Sequence, residues 1–320
     1  MQTRGDCVVF LWIGAALAIL VLLCSYICYR MAFYVPQKDK IRPEFELPPG
    51  KIYEPHHGQM RKWMEEVQNL PHQDFSIRSF DGLILWGTYY EYAPGAPIEL
   101  MFHGYRGTAQ RDLCGGVQRC FSLGHSALIV DQRASCRSGG NTITFGYKES
   151  RDCLSWVDFM VKQFGGDVRI ILCGISMGAT TVLLASGEDL PKNVVGVLAD
   201  CGFCCAKDII CKVIGQMKLP EKLLYPFVRL GAILYGGFDP NKADAAAAVK
   251  KCRLPVIFFH GDTDDYVPCE MSQINYEACT GIKEMVIIPN AGHGLCYLID
   301  PQGYVDKLKA FEINWIPPAK

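Results

Sequence analysis

The first thirty residues contain an uninterrupted apolar run. From Cys7 to Tyr29 the chain reads CVVFLWIGAALAILVLLCSYICY and contains no charged residue. As a helix rising 1.5 Å per residue, this run reaches about 35 Å, enough to cross a hydrocarbon core of about 30 Å. A cleaved signal peptide would have a shorter apolar core and small residues at its cleavage site. Because the run is longer and no A-x-A pattern follows it, we predict an uncleaved transmembrane anchor.

Beyond a segment rich in proline and charge (Val35–Pro55), which predicts a linker, short apolar runs alternate with helical patterns. Two runs joined at Asp81-Gly82 predict a β-hairpin. Several later runs are apolar almost throughout, as strands buried on both faces should be. Helical patterns separate them, and this alternation predicts a largely parallel sheet covered by helices on both sides. The predicted strands are DFSIRSF, LILWGTYYEY, PIELMFHG, SALIVD, VRIILCG, VVGVLAD, LPVIFFHG and EMVIIP, and the clearest helices are Glu149–Phe164 and Met271–Cys279.

One connection breaks this rhythm. About fifty residues separate Phe203 from the strand that follows Arg253. Within them, Ile209–Leu234 is apolar and predicts helices with a break at Leu219-Pro220. An insertion of this length at the edge of a sheet is typical of a lid over a site, although a plain pair of packing helices would have the same pattern. We expect a lid at about residues 204–250.

Charge and cysteine content exclude several classes of protein. The net charge of −1 leaves no basic surplus for nucleic acid. Three of the sixteen cysteines (Cys7, Cys24 and Cys28) lie in the anchor, and the odd number left in the body cannot form a fully paired disulfide framework. The cluster of Cys201, Cys204 and Cys205 has no second C-x-x-C pair at zinc-finger spacing. No metal or organic cofactor is therefore expected.

A serine lies at a strand-to-helix turn in the middle of the chain. In GISMG, Gly174–Gly178, Ser176 follows the strand VRIILCG and precedes the small-residue helix MGATTVLLAS. G-x-S-x-G is a weak signal alone, but in this context it predicts a nucleophile on a strained turn, with the glycines leaving room for neighbouring backbone. A dinucleotide-binding G-x-G-x-x-G loop is excluded, because serine takes the place of the middle glycine.

A nucleophilic serine needs a base and an acid that orients the base. In this topology the order along the chain is serine, acid, histidine. Only His260 and His293 follow Ser176. His293 lies in a glycine-flanked loop after the last predicted strand and is the predicted base, whereas His260 ends a strand and is predicted to be structural. HGDTDDYVP offers three acids between the serine and His293, namely Asp262, Asp264 and Asp265.

These motifs together resemble the α/β-hydrolase superfamily. HGYRGT, DQR, GISMG, HGDTDDYVP and AGHG occur in the family's order over most of residues 70–315. The sequence is most similar to membrane-anchored bacterial members of the serine aminopeptidase and monoacylglycerol lipase-like branch. The resemblance implies that Asp264 is the acid and that the backbone N–H of Tyr105 stabilises the oxyanion. The N–H after the nucleophile, that of Met177, is the second expected donor.

The sequence departs from the family pattern after the strand SALIVD. Where the family often reads D-x-R-G-x-G-x-S, this chain reads DQRASCRS, with Ala134 and Cys136 in place of glycines. A residue with a Cβ adopts positive φ only at a cost, so we expect the turn to differ locally. That loop is structural in the family, and the departure leaves the three predicted catalytic residues unaffected.

The resulting hypothesis is an α/β hydrolase with a transmembrane anchor at 1–34, a linker and lead-in at 35–69, and a catalytic domain at 70–320. It implies a serine hydrolase that cleaves a carboxylic ester or amide, with a small or lipid-like acyl ester as substrate and no obligate protein partner. A serine peptidase, an acyltransferase with the same triad and an inactive binding scaffold remain as alternatives. Positive charges after the anchor favour a cytoplasmic catalytic domain.

Overall fold

The structure is a computed structural model that describes residues 4–316 of the chain. Before residue 11 it describes no side chain other than that of Val9, so the predicted anchor cysteine Cys7 lies outside the described side chains. The first helix, α1, covers Arg4–Ala32. Its part from Leu11 to Ala32 is long and apolar enough to cross a membrane, although a signal sequence near an amino terminus would meet the same criteria.

An eight-stranded sheet forms the centre of the described chain, in the order β1-β2-β4-β3-β5-β6-β7-β8. The β1–β2 hairpin is antiparallel and β2 also pairs antiparallel with β4, while the other neighbouring strands are parallel. The sheet is therefore mixed, and its parallel part carries the site described below. In chain order, β1 to β8 are Gln73–Arg78, Ile84–Tyr90, Ile98–Phe102, Ser126–Asp131, Ile170–Ile175, Val194–Asp200, Val256–Gly261 and Lys283–Ile288.

Helices cover both faces of the sheet because the central strands are apolar on both sides. On β3, Leu100 faces the cluster that contains Trp156 of α5, and its neighbour Met101 faces the cluster that contains Val117 of α4 and Phe311 of α12. After α1, the helices are α2 His57–Gln68, α3 Ala109–Asp112, α4 Cys114–Leu123, α5 Glu149–Phe164, α6 Met177–Ser186, α7 Ala206–Gln216, α8 Glu221–Gly231, α9 Ala245–Val249, α10 Cys269–Ala278, α11 Cys296–Ile299 and α12 Pro301–Trp315.

The segment from 35 to 69 packs on the domain for much of its length, although its composition suggests a linker. Val35 and Lys40 are buried, and the Lys40 ammonium donates a 2.7 Å hydrogen bond to the Ser138 carbonyl. Met64 and Val67 on α2 join the hydrophobic cluster on one face of the sheet. A charged residue of this segment, Lys40, makes a specific contact with the domain. The composition of the segment does not indicate such contacts.

The insertion between β6 and β7 consists of short helices, as its apolar pattern predicts. α7 and α8 are separated at Met217–Pro220, and a π-helical turn at Ala232–Gly236 follows α8. The carboxyl-terminal half of α1 lies directly against α8. At Gly231, an added Cβ would lie 2.2 Å from the Ser25 carbonyl oxygen, so the two helix backbones are in close contact. We refer to the segment from α7 to the end of this π-turn, residues 206–236, as the lid.

Candidate active site

Ser176 lies on a strained turn between β5 and α6. Its φ of 56° and ψ of −119° are unusual for a residue with a Cβ, and such a conformation costs on the order of 1–3 kcal/mol. The turn is held on both sides, because the Ser176 N–H donates to the Asp200 carbonyl at 2.8 Å and its carbonyl accepts from the Thr180 N–H at 3.1 Å. The side chain is thereby fixed at the carboxyl end of the parallel strands.

Close backbone contacts leave no room for a side chain at either glycine of GISMG. A Cβ on Gly174 would lie 2.1 Å from the Gly178 carbonyl oxygen. A Cβ on Gly178 would lie 2.0 Å from the carbonyl oxygen of Phe102, which ends β3. Any side chain at either position would therefore force the turn away from β3, and Ser176 with it.

His293 is in hydrogen-bonding contact with Ser176. Its Nε2 lies 2.9 Å from the Ser176 Oγ. The loop that follows β8 brings His293 to this point, and Gly294 allows it by adopting a φ of 69°. On the opposite side of the ring, Nδ1 lies 2.7 Å from the Asp264 Oδ2. With Nδ1 protonated and donating to the carboxylate, Nε2 is free to accept the serine proton.

Asp264 follows β7 and is bound from several directions. Its second carboxylate oxygen, Oδ1, accepts hydrogen bonds from the N–H groups of Tyr266 at 3.0 Å and Val267 at 2.8 Å. Burial alone would raise the pKa of Asp264, but hydrogen bonds with His260 and His293 and the Val267 N–H hold that pKa at about 2. The carboxylate therefore stays ionised at neutral pH, next to the imidazole.

The two other acids of HGDTDDYVP face elsewhere. Asp262 is exposed, and its Oδ1 accepts a 2.6 Å hydrogen bond from the Asn290 N–H. Asp265 is also exposed, and its carbonyl accepts hydrogen bonds from the side chains of Lys212 and Gln216. Of the three candidate acids, Asp264 is the one whose carboxylate contacts His293.

His260, the second candidate base, is fully buried behind the acid. Its Nδ1 lies 2.6 Å from the Ser272 Oγ, and its Nε2 lies 2.8 Å from the Val267 carbonyl. The same Nε2 is 3.2 Å from the Asp264 Oδ2. Both ring nitrogens are thus engaged with groups other than Ser176, and the ring supports the carboxylate.

The loop after β3 passes directly beside the serine. A Cβ on Gly104 would lie 3.5 Å from the Ser176 Cβ, so the following residue, Tyr105, is next to the nucleophile. The Asp112 carboxylate holds this loop by accepting from the Gly104 N–H at 3.1 Å. On the other side of Ser176, Met177 opens α6, and the first N–H groups of a helix have no partner within it. The positions expected to supply oxyanion donors therefore flank the serine.

The DQRAS loop keeps left-handed backbone despite its side chains. Ala134 has a φ of 61° and Cys136 a φ of 40°, so the chain retains the conformation that glycine would favour. We expected the turn to differ locally, whereas the structure keeps it and accepts the strain. The loop also supports the site, because the Gln132 side chain donates to the His103 carbonyl at 2.6 Å and the Gln132 N–H donates to the His103 ring at 3.1 Å.

Three further side chains lie next to His293. The Tyr53 hydroxyl donates a 3.1 Å hydrogen bond to the His293 carbonyl, and the Tyr266 ring lies 5.0 Å from the imidazole, centre to centre. Cys201 is buried with its sulfur within 4.8 Å of ligand atoms of Asp264 and His293. Burial raises the pKa of the Cys201 thiol, so it stays protonated. Since both His293 nitrogens are already hydrogen-bonded, this group is poorly suited to bind a metal ion.

Two cavities meet at Ser176. One, of about 430 Å³, extends between the lid and α1. We call it the apolar chamber, because among the described residues that line it none is charged. The other, of about 580 Å³, contains charged and apolar side chains, including Lys51, Arg111 and Asp265, and we call it the mixed cleft. Tyr105, Ser176 and Tyr266 line both cavities.

Solved structures of similar architecture include an esterase and a named α/β hydrolase. An esterase from Pyrococcus furiosus superposes with a TM-score of 0.66 at 22% identity, covering 85% of this chain and 97% of that one. The α/β hydrolase GrgF from Penicillium superposes with a TM-score of 0.60 at 16% identity, covering 77% and 99%. The chain therefore has the α/β-hydrolase fold, as its motifs predict.

Sequence comparison finds uncharacterised relatives. YqkD of Bacillus subtilis, an uncharacterised protein, is 30% identical over 193 residues, which are 60% of this chain and 63% of that protein. The match thus spans somewhat less than two thirds of the length of YqkD. No model of a protein family matches the chain.

Proposed function

We propose that this chain is a membrane-anchored serine hydrolase that cleaves carboxylic esters through an acyl-enzyme. The observation that carries the proposal is the hydrogen-bonded series from Ser176 Oγ through His293 to Asp264, with distances of 2.9 Å and 2.7 Å. A series of this kind is the arrangement of a Ser-His-Asp triad. The α/β-hydrolase fold, which this chain shares with a solved esterase, also supports ester hydrolysis, although a fold alone does not determine function.

In the first half of the reaction, Ser176 Oγ forms a bond to the ester carbonyl carbon while its proton moves to His293 Nε2. Asp264 stabilises the resulting imidazolium and keeps its Nδ1–H directed at the carboxylate. The N–H groups of Tyr105 and Met177 stabilise the oxyanion, and one such donor is typically worth roughly 10²–10³ in rate. When this tetrahedral intermediate collapses, the bond to the leaving group breaks. The leaving group takes the proton from His293 and departs as an alcohol.

In the second half, a water molecule attacks the acyl-enzyme and gives its proton to His293. The bond between the acyl carbon and Ser176 Oγ then breaks, and the serine recovers its proton. The product is a carboxylic acid, and the enzyme returns to its starting state. Water is the acceptor in this proposal, and His293 mediates every proton transfer that the reaction requires.

The proposal includes α1 as an uncleaved anchor. Its end packs into the body: Tyr29 and Phe33 are buried, the Tyr105 hydroxyl donates to the Ala32 carbonyl at 2.7 Å, and Arg106 donates to the Met31 carbonyl at 3.1 Å. These contacts support a span that stays joined to the catalytic domain. Positive charges that follow the span favour a cytoplasmic catalytic domain, and digestion of that domain by protease added outside intact cells would contradict this part of the proposal.

The test is labelling of the full chain, in detergent micelles, with a fluorophosphonate that reacts with activated serines. We expect the wild type to be labelled and Ser176→Ala not to be. On p-nitrophenyl esters, Ser176→Ala and His293→Ala should each lower kcat by roughly 10⁶, with little further loss in the double variant, because the two groups act as a unit. Labelling of Ser176→Ala at the wild-type rate would show that the nucleophile is elsewhere.

A further inference from the structure

The apolar chamber is built jointly by the lid and the anchor helix. Its lid side includes Ile210, Val213 and Ile214 of α7. Its other side is the carboxyl-terminal half of α1, which contributes Cys24, Ile27, Cys28 and Met31. Its volume of about 430 Å³ lies within the range of about 300–1,000 Å³ of small-molecule sites. The chamber ends at Ser176, so a group bound in it would be attached to the reacting carbonyl.

The helix side of the chamber is fixed to the domain. Ser25 and Tyr29 are buried at i, i+4 spacing on α1, Phe33 is buried directly after the helix, and the backbone of α1 contacts α8 at Gly231. The end of α1 is also bonded to the loop that carries the proposed oxyanion donor, through the Tyr105 hydroxyl. The part of α1 that lines the chamber therefore has a fixed position relative to Ser176.

The position of α1 also places the mouth of the chamber at a membrane. The residues of α1 that face the chamber belong to its apolar span, Leu11–Ala32, so the lid beside them would lie at the same depth. The lid exposes large apolar side chains there, and Tyr235 of the lid contacts Tyr26 of α1, with ring centres 5.2 Å apart. The exposed apolar residues of the lid are Met217, Leu219, Leu223, Ile233, Leu234 and Tyr235. A surface of this composition is suited to the acyl region of a bilayer.

We propose that the apolar chamber binds the acyl chain of a lipid ester dissolved in the same bilayer as α1, and that the anchor helix is therefore part of the substrate-binding site. This inference rests on the ester hydrolase proposed above. The acyl chain would enter between α1 and the lid, with its carbonyl at Ser176. The alcohol part of the ester would occupy the mixed cleft, whose lining of both charges, including Lys51 and Asp265, suits a polar head group.

Chain-length preference is the first measurement. Burying one methylene contributes about 0.8 kcal/mol, or about fourfold in kcat/KM while the chain fits. The full-length enzyme in detergent micelles should therefore prefer p-nitrophenyl dodecanoate to p-nitrophenyl acetate by at least 100-fold. The ratio of the two kcat/KM values is the readout, because damage to the catalytic groups lowers both values and leaves their ratio unchanged.

Filling the chamber from each wall tests the role of α1. Cys28→Trp places a large ring in the chamber from the anchor, and Val213→Trp does so from the lid. Each should lower the ratio of dodecanoate to acetate kcat/KM by tenfold or more. Leu20→Trp is the control, because Leu20 is exposed on α1 and is outside the chamber lining, and its ratio should equal that of the wild type.

The outcomes separate the two proposals. If the wild type is labelled at Ser176 but shows no preference for the longer ester, or if both chamber variants keep the wild-type ratio, the acyl chamber is wrong and the hydrolase stands. If Ser176 is not labelled, the hydrolase itself is wrong.

The source of the ester is tested in dioleoylphosphatidylcholine vesicles. Dodecanoate ester in the protein's own vesicles should be cleaved at least tenfold faster than ester in separate vesicles, and equal rates would indicate a water-borne substrate.

Discussion

Asp264 is the most tightly held acidic side chain at the site. Its two oxygens interact with two backbone N–H groups and with two histidines. The histidines differ in role, because His293 also reaches Ser176 whereas His260 is bonded to Ser272 and the Val267 carbonyl. A carboxylate with a pKa of about 2 stays negative over the whole range in which an imidazole titrates. It can therefore stabilise His293 in its charged form without taking its proton.

Replacing Asp264 by Asn should lower kcat/KM for p-nitrophenyl esters by roughly 10⁴, by analogy with the aspartate of other Ser-His-Asp enzymes. An amide can donate to His293 Nδ1, which would place the ring proton on Nε2 and remove the acceptor for Ser176. Asp262→Asn is the matched control, since the Asp262 carboxylate is exposed and accepts from the Asn290 N–H, and it should stay within a few-fold of the wild type. The reverse pattern would move the acid to Asp262.

At this scale the sequence predicts the residues that follow strands and leaves out those that arrive from elsewhere. Ser176, Asp264 and His293 each come directly after an apolar run, and the order of these runs sets their order at the sheet edge. Tyr53 also lies at His293, but it comes from the segment that looks like a linker. A contact between residues 240 positions apart leaves no local pattern to detect.

At the scale of elements, the contact between α1 and α8 depends on a residue without a side chain. An added Cβ at Gly231 would lie 2.2 Å from the Ser25 carbonyl oxygen and 3.1 Å from the Tyr29 Cβ. The first of these neighbours is backbone and cannot move without shifting α1. Gly231 itself has an ordinary helical φ of −62°, so the restriction is one of space and not of conformation.

Gly231→Ala should therefore separate α1 from the lid and destabilise the chain by about 1–3 kcal/mol, the usual cost of overpacking. Its midpoint of thermal unfolding in detergent micelles should fall. Gly215→Ala, in α7, is the control, because its Cβ would meet only a side-chain oxygen at 3.7 Å. Alanine is also the better helix former, so Gly215→Ala should leave the midpoint unchanged or raise it. Equal midpoints for the two variants would show that the α1–α8 contact contributes little.

The elements of the sheet are predicted well because each central strand is a short apolar run bounded by polar or glycine residues. All eight predicted strands are present, and α5 begins and ends at the predicted residues, Glu149 and Phe164. The apolar pattern also predicts the helices of the lid, but it does not predict which element these helices pack against. The apolar span of α1 has the same composition whether it crosses a membrane alone or packs on a domain, so its contact with α8 could not be predicted.

At the scale of the whole molecule, a buried charged cluster joins the sheet to the last helix. Glu99 on β3 contacts Arg119 of α4 and lies 3.1 Å from His125 Nδ1. His125 Nε2 lies 3.4 Å from Glu312 of α12. Burial alone would lower the pKa of His125, but its hydrogen bonds with Glu312 and Glu99 raise it to about 9. The cluster therefore contains a histidine that is charged at neutral pH.

This histidine should make the stability of the fold fall at alkaline pH. Its folded-state pKa of about 9 exceeds the usual value of about 6.5, so its contribution is complete below about pH 6.5 and disappears as the pH rises through 9. The shift corresponds to about 3 kcal/mol. In urea unfolding at pH 6.5 and 9.5, the wild type should lose stability of this order, and Glu312→Gln should lose less, because a partner that raises the pKa is gone. His72→Gln, at an exposed position, should behave as the wild type. An equal pH dependence in Glu312→Gln and the wild type would show that Glu312 does not raise the pKa of His125.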